Sequence, residues 1–547
     1  MSFRYRSILL ALLLPLFMAG AAEPEFRMTY SVFFPATHVH TQLAREWAAE
    51  VEKRSEGRLV IDVYPGGILS GAGENYECVV KGVSDLGMSC FSYSRGMFPM
   101  MEGLDLPLGY QDGRQATRVA NAYVRTFELP ELADTRLLYV HAHGPGVLAA
   151  RRPVTSVKEL EGLSVRGTGI SALIIRALGC NAIGMGQPDT YEALRKGVVD
   201  ATLCPVETLK GWRQGEVISD VVKIPSAGYT TAMFVVMNRG SWSRLPADLR
   251  QILLEVSDEW IPKHGAAWNE ADDAAAEFVT GLGKKISAFS PEADAAAAQR
   301  LAPILEEWAD TLEARDLPGR AALNFIQAEL AKDSCAPLPP RKAEADTGVA
   351  DEASSGGQLG ILTAVMALVI LSGLFTIYGG RAQAAFWQLY RVTVLKLTHI
   401  LAAFSGILLL AIIGLTIADI IGRRLGHPLL GAMDLVQILI CLSTACAMPY
   451  VTALKGHIAV EFLFQRLAPV KRIFWDTINR LAAVAFFTCL VIVCMKHGAR
   501  LLEQKAVALS LGIPLFWVLW VVGGAFITML LVIIYNLNHP GREMTRP

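Results

Sequence analysis

The pattern of apolar and polar positions divides this 547-residue chain into two contrasting parts. From residue 23 to 335, short apolar runs alternate with amphipathic stretches, as in a water-soluble protein that buries one face of each element. From residue 359 to 537, five almost wholly apolar stretches follow, each near the roughly 20 residues that cross a bilayer. The polar segment 336–358 lies between them and predicts a flexible tether.

Strand and helix patterns alternate through the first part. Arg58–Tyr64 (RLVIDVY) alternates in the manner of a strand, and Thr41–Ser55 before it has helical spacing of its apolar residues. This alternation predicts an α/β fold, with parallel-type sheets covered by helices and arranged as two lobes. Further strands are predicted at Leu137–His141, Leu163–Arg166, Ala201–Cys204 and Ala232–Met237, and helices at Gln115–Thr126, Ser171–Leu178 and Tyr191–Lys196.

A long helical pattern, Leu249–Leu282, is followed by a helical tail, Glu292–Ala331. A helix of the first length would reach across both lobes and brace them. Two lobes with a cleft between them predict closure around a ligand. No nucleophile elbow, Walker loop or zinc motif occurs here, so we expect neither an enzyme nor a cofactor or metal. A membrane-tethered periplasmic enzyme is therefore the weaker hypothesis.

The amino terminus has the layout of a secretory signal peptide. Arg4 and Arg6 precede the apolar run Ile8–Met18, and the small residues Ala19–Ala22 follow. We expect residues 1–22 to be removed and the α/β part to lie outside the cytoplasm, in the periplasm of a Gram-negative bacterium.

The membrane part carries five predicted spans. With the α/β part outside, this odd number puts the loop 379–396 and the tail 538–547 in the cytoplasm, and the positive-inside bias agrees modestly. A net charge of −1 gives no indication of a nucleic-acid partner. The spans are Leu359–Tyr378, Leu397–Ile421, Leu430–Tyr450, Ile473–Val493 and Pro514–Tyr535.

Seven stretches in the first part resemble, in order, the DctP-type solute receptor of tripartite ATP-independent periplasmic (TRAP) transporters. The resemblance implies two α/β lobes joined by crossing strands and a long helix. It also implies a binding protein that captures a small organic anion. The stretches are Val32–His38 (VFFPATH), Trp47–Val51, Gly57–Leu69, Tyr76–Gly87, Pro153–Arg166, Tyr191–Asp200 and Phe234–Pro246.

The last four spans, within 397–537, resemble the DctQ-type small membrane subunit of the same transporters. Ile420–Arg424, Gly431–Leu435 and Lys455–Glu461 carry this resemblance. The extra span 359–378 joins a receptor that ends outside to a subunit that begins inside. The family implies a separate large multi-span subunit as partner, in the bacterial inner membrane, and uptake driven by an ion gradient.

Arg166 is the main candidate for binding the solute. A guanidinium holds a carboxylate through two parallel hydrogen bonds, and Gly167–Thr168–Gly169 beside it allows close approach. From the residues alone, an arginine at a strand end is more often a surface or salt-bridge residue. The resemblance places the family's carboxylate-binding arginine here. Weaker candidates, for which packing in the core or at the surface stays open, are Phe34, His38, Ser92, Tyr93, Thr168, Glu207, Trp212 and Tyr229.

Three departures from the family pattern bear on the solute. The segment His141–Gly146 lacks a second arginine, Asp200–Ala201 replaces the usual Asp-Gly, and Cys204 stands where a polar residue is often found. These changes count against a sialic-acid-like or standard dicarboxylate ligand. A monocarboxylate, or a carboxylate with an apolar or hydroxylated body, fits equally well. An alternative function is a solute sensor, although only Asn536–Pro547 would remain inside to signal.

Overall fold

The computed structural model describes residues 24–94, 96–341, 355–378, 380–424, 429, 431–454, 469–503, 507–508 and 511–539. The expected signal peptide, the central part of the expected linker and most of the expected cytoplasmic tail lie outside these residues.

The strands are β1 Phe26–Val32, β2 Leu59–Tyr64, β3 Leu86–Cys90, β4 Thr135–Ala142, β5 Val147–Ala150, β6 Ser164–Gly167, β7 Asn181–Gly184, β8 Ala201–Cys204, β9 Asp220–Lys223, β10 Ala232–Asn238 and β11 Ile286–Ala288. The α-helices are α1 Val39–Arg54, α2 Asn75–Val80, α3 Gly113–Thr126, α4 Val157–Leu160, α5 Gly169–Ala177, α6 Gln187–Lys196, α7 Thr208–Gly211, α8 Arg239–Arg244, α9 Ala247–Gly281, α10 Pro291–Glu313, α11 Gly319–Leu330, α12 Ser355–Tyr378, α13 Gly380–Arg424, α14 Ala432–Ala453, α15 Pro469–Glu503 and α16 Phe516–Asn538.

Two sheets form the two expected lobes. Lobe 1 has the strand order β2-β1-β3-β10-β4, and lobe 2 has the order β11-β9-β5-β8-β6-β7. The chain passes from β4 in lobe 1 directly to β5 in lobe 2, and returns from β9 to β10. These two crossings create the cleft and supply its floor.

The expectation of parallel-type sheets is only partly right, because both sheets are mixed. β10 runs antiparallel to β3 and β4, and β5 runs antiparallel to β8 and β9. Each reversed strand is the first one that the chain forms on entering a lobe from the other lobe. A direct crossing sets its direction, whereas a helical return connection would make neighbouring strands parallel.

The long helix α9 braces both lobes, as its pattern predicts. Its 35 residues extend over about 52 Å at 1.5 Å per residue. Trp260 and Trp268 pack in the buried cluster of lobe 1, and Ala275 and Val279 pack in the cluster of lobe 2. The three buried clusters of the α/β part draw on no residue beyond Leu338, so this part has a hydrophobic core of its own.

The expected linker is held against lobe 1 at its start. The carbonyl of Pro339 accepts from Arg125 at 3.0 Å, and Arg341 donates to the Leu138 carbonyl at 2.7 Å and pairs with Asp258. Residues 336–341 therefore belong structurally to the receptor.

Four of the described helices contain segments long and apolar enough to cross a membrane: Gln383–Gly422, Asp434–Ala453, Phe474–Glu503 and Phe516–Asn538. In α12 the apolar stretch is shorter, Thr363–Thr376. The segment 380–396, expected as part of a cytoplasmic loop, is instead the first part of α13. Neither proline nor glycine interrupts the chain between Arg381 and Ser405, so nothing in the sequence ends the helix there.

The cavity between the lobes

A small cavity lies where the two lobes meet. Its volume is about 30 Å³, room for roughly two water molecules. The lobes are therefore closed in this structure, and a solute as large as an organic acid enters only when they part. The lining comprises Phe33, Phe34, Cys90, Ser92, Tyr93, His143, Arg166, Thr168, Ser171, Gln187, Pro205, Glu207, Thr208, Trp212, Tyr229, Thr231, Met233 and Trp268.

Arg166 is a buried cation in this lining. It stands in β6, opposite Ile183 of β7 and Thr202 of β8, and is only 5% exposed. Its Nε donates to the carbonyl of Met185 at 3.0 Å. Among the described residues, no carboxylate lies within 4.0 Å of its guanidinium. A buried charge without a counter-ion is costly, so the site is suited to an anion supplied from outside.

Three polar contacts join the lobes around the cavity. Ser92 and Thr168 lie 3.3 Å apart through their hydroxyls, and the backbone N–H of Gln187 donates to the Tyr93 hydroxyl at 3.2 Å. The third contact, 2.7 Å long, joins His38 Nε2 to Glu207 Oε1. Ser92, Tyr93 and His38 belong to lobe 1, so closing the cleft satisfies polar groups on both sides.

Gly169 permits this close approach. It begins α5 with φ +50°, and a Cβ atom there would lie 2.9 Å from Cβ of Ser92. Any side chain would strain the backbone and push the lobes apart. The preceding Thr168 forms a capping box with Ser171, which fixes the start of the helix beside Arg166.

Rings form the opposite side of the cavity. Phe34 stacks on His38 with centroids 4.2 Å apart, and Phe33 packs on Phe34 at 4.0 Å. Trp212 lies almost parallel to Phe33 at 6.1 Å, so an aromatic side chain from lobe 2 closes over the wall of lobe 1. Together with Tyr93, which meets Phe33 edge to face at 5.7 Å, these rings suit an apolar or aromatic solute body.

Burial affects the titrating groups around the cavity. It lowers the pKa of His143 to about 4 and keeps that ring neutral beside the positive charge of Arg166. Burial also raises the pKa of Asp272, which accepts from the backbone N–H of Glu207 at 2.8 Å, to about 7. For Tyr93, burial raises the pKa and the charge of Arg166 lowers it; burial dominates, so the hydroxyl stays protonated.

Eight of the nine residues singled out from the sequence line the cavity. The ninth, His38, lies behind the lining and touches it through Glu207 and Phe34. Their part in binding a solute stays a prediction. The lining residues that sequence reasoning did not single out include Phe33, Gln187 and Trp268. Gln187 offers a weak signal, since it begins a helix shortly after a strand, whereas Trp268 looks like any apolar residue on a long helix.

Three buried histidines, His40, His141 and His264, place nitrogen atoms within 4.8 Å of one another. His40 and His264 share a 2.8 Å hydrogen bond, and the rings of His141 and His264 stack at 4.3 Å and 11°. The Trp268 indole donates to His141 Nδ1, so the proton of that neutral ring lies on Nε2. Nδ1 of His141 accepts from Trp268, and Nε2 carries the proton although it has no hydrogen-bond partner among the described residues, so neither nitrogen offers a lone pair to a metal ion. The group therefore fits a packed core better than a metal site.

Two α/β lobes, crossing strands, a bracing helix and an interlobe cavity define a hinged solute-binding protein. The family model "Bacterial extracellular solute-binding protein, family 7" (DctP) matches residues 30–311, just over half of the chain. A second model, "Tripartite ATP-independent periplasmic transporters, DctQ component", matches residues 412–540. The chain therefore belongs to the TRAP transporter receptors and is a fusion of a DctP receptor with a DctQ membrane component. This family and fold are those of solute-binding proteins and not of enzymes.

A relative and two solved structures illustrate the likeness. The outer membrane transporter protein TsaT of Comamonas testosteroni is 23% identical over 337 residues, which are 60% of this chain and 99% of that protein. A TRAP solute-binding protein of Rhodoferax ferrireducens, solved with copurified benzoate, is 26% identical with a TM-score of 0.54. One from Bordetella bronchiseptica, solved with (R)- and (S)-mandelate, is 26% identical with a TM-score of 0.53. Each structural match covers 56% of this chain and 98% of the other.

Proposed function

We propose that this chain captures an organic monocarboxylate in the periplasm and delivers it to a separate large membrane subunit for uptake driven by an ion gradient. The observation that carries the proposal is Arg166, a buried cation without an acidic partner among the described residues, inside a cavity of a TRAP receptor. The solute carboxylate would take the place of that partner through two parallel hydrogen bonds.

The lining supports a solute with an apolar or aromatic body. Phe33, Phe34, Tyr93 and Trp212 present rings to a cavity with a single buried cation. The two similar receptors solved with benzoate and mandelate hold aromatic monocarboxylates, which agrees with such a wall. A standard dicarboxylate would leave its second charge among rings, where burial is costly.

The proposed arrangement in the inner membrane follows from the two fused parts. Residues 1–22 would be removed, residues 23–341 would form the periplasmic receptor, and the tether would lie within residues 342–358. Five crossings, one through α12 and four through the DctQ part, would leave residues 538–547 in the cytoplasm. The tether would keep the receptor at high effective concentration near its membrane partner.

Binding is tested by isothermal titration of the detergent-solubilised full chain with benzoate and (R)-mandelate. We expect binding in the parent and its loss in Arg166→Met. The matched control is Arg195→Met, because Arg195 is an exposed arginine of the same lobe whose ionic partner among the described residues is Glu192 on its own helix. Equal binding by Arg166→Met and the parent would contradict the proposal.

Delivery is tested by uptake of a radiolabelled acid that binds. Cells would carry this chain alone, a TRAP large subunit alone, or both. We expect uptake above background only with both, and its loss when the ion gradient is collapsed. Uptake by this chain alone would contradict the need for a separate subunit.

A further inference from the structure

Glu207 is the second charged side chain of the cavity lining, and the geometry gives it a specific task. We propose that Glu207 selects carboxylate solutes that also carry a hydrogen-bond donor, a hydroxyl or an ammonium group, and rejects solutes with a second carboxylate. This inference rests on the proposed function, since it assumes that Arg166 holds the first carboxylate.

The protonation of His38 fixes which oxygen of Glu207 remains free. The backbone N–H of His40 donates to His38 Nδ1 at 3.3 Å, and a backbone N–H has no acceptor role. The proton of neutral His38 therefore lies on Nε2, which donates to Glu207 Oε1 at 2.7 Å. This contact satisfies Oε1 and holds the carboxylate in one orientation.

The other oxygen has no such partner. Glu207 is 3% exposed, and its Oε2 is buried without a hydrogen-bond partner among the described residues. Since Glu207 lines the cavity, a donor on the solute is the natural partner for Oε2. A buried acceptor left unsatisfied loses its hydration without compensation, so a solute that supplies a donor gains affinity.

Other residues of the cavity lining offer hydrogen-bond donors. Gln187 Nε2 is buried without a partner among the described residues, and Gln187 follows two residues after Met185, whose carbonyl holds Arg166. Arg166 and Gln187 thus offer donors that need an acceptor on the solute, and Glu207 offers an acceptor that needs a donor. A carboxylate solute with a hydroxyl or ammonium group meets both requirements.

The same carboxylate works against a second negative charge. Two carboxylates brought together in a water-poor cavity repel each other, and no second cation lines the cavity among the described residues. Dicarboxylates should therefore bind more weakly, because this repulsion opposes them and because they leave Oε2 without a donor.

The test is isothermal titration of the detergent-solubilised full chain with ring-substituted benzoates. The series is benzoate, the three hydroxybenzoates, the three aminomethylbenzoates and the three benzenedicarboxylates. All substituent positions are included so that the result does not depend on one assumed pose. We expect at least one donor-bearing isomer to bind about tenfold or more tightly than benzoate, in line with a hydrogen bond to a charged acceptor, and every dicarboxylate to bind more weakly than benzoate.

Glu207→Gln sharpens the test, because His38 Nε2–H still requires an acceptor. The amide oxygen would face His38 and the NH2 group would face the cavity, which replaces the free acceptor by a donor. The affinity for the donor-bearing acid should then exceed the affinity for benzoate by less than about threefold. The difference between the affinities for benzoate and for the dicarboxylates should also shrink. Glu192→Gln is the matched control, an exposed glutamate of lobe 2, and should leave the ratios as in the parent.

The possible outcomes distinguish failure of this inference from failure of the proposed function. If benzoate binds and no donor-bearing isomer binds better, the inference fails and the proposed function stands. An unchanged ratio in Glu207→Gln also overturns the inference. If no acid of the series binds, the proposed function fails with it. Should the variant not fold, the parent's own series still decides.

Discussion

The two lobes contribute different chemistry to one cavity. Lobe 1 supplies the rings of Phe33 and Phe34 and the hydroxyls of Ser92 and Tyr93. Lobe 2 supplies Arg166 and Glu207, the two formally charged side chains among the described lining residues. Orientation of the solute and closure over it are therefore separable: lobe 2 would fix the charged end of the solute, and lobe 1 would cover its apolar body.

This difference between the lobes predicts that the substitution with the largest effect on solute affinity lies in lobe 2. Arg166→Met should weaken binding of a carboxylate at least about 100-fold, because a bidentate, charge-assisted contact in a buried site is lost. The unliganded variant should be as stable as the parent or more stable, since it no longer buries an unpaired cation. Titration with benzoate and urea unfolding of residues 24–341 measure the two quantities. A marked loss of stability in the unliganded variant would instead indicate a structural role.

Acid sensitivity should reside in lobe 1, where the three stacked histidines lie. Burial lowers the pKa of His264 to about 3, so the folded ring stays neutral while the unfolded one takes a proton below about pH 6.5. The unfolded state therefore binds more protons between about pH 6.5 and 3, and this contribution to stability is lost as the pH falls through that window.

His264→Gln removes the titration together with the hydrogen bonds to His40 and Tyr139. It should destabilise residues 24–341 at pH 7.5, and its deficit relative to the parent should shrink by about 2 kcal/mol by pH 4.5. Urea unfolding at several pH values gives the comparison. Val256→Ala, a buried non-titrating change on the same helix, should show a deficit that does not vary with pH. A constant deficit for His264→Gln would contradict the prediction.

Trp212 links the two contributions, because it belongs to lobe 2 and stacks on the rings of lobe 1. Trp212→Leu should weaken the binding of aromatic acids roughly tenfold and that of small aliphatic acids less, since stacking on Phe33 and on the solute is lost. Titration with benzoate and with propionate measures the difference. Equal losses for both acids would show that the ring serves closure alone.

The smallest effect is expected at a contact that only closes the cleft. Tyr93→Phe removes the hydroxyl that accepts from the Gln187 backbone N–H, and affinity should fall about threefold, typical of one neutral hydrogen bond. The loss should be the same for every acid, because the hydroxyl is already engaged between the lobes. A loss confined to hydroxylated acids would instead place Tyr93 in contact with the solute.

Local patterns along the chain are enough to predict most of the helices and strands. Alternation predicts β2, because a strand with one buried face repeats every second residue. Continuous apolar runs predict β8 and β10, because nearly every residue of these strands is buried. Helical spacing predicts α9 to within two residues of its observed start and one of its observed end. The apolar stretches predict the membrane helices, because lipid demands continuous apolar surface. The spacing of apolar residues and the apolar content of a segment are local properties, so they can be recognised without knowledge of the fold.

The way in which distant residues come together depends on the folded arrangement. The reversal of β5 and β10 follows from crossings between lobes, which no local pattern encodes. The contact of His38 with Glu207 joins residues 169 positions apart, and the free Oε2 of Glu207 depends on a backbone N–H near His38. The sequence singled out Arg166 as a candidate, but the lack of a carboxylate beside it among the described residues depends on everything packed around it. Charge balance in a cavity is a property of three-dimensional neighbours, so only the fold reveals it.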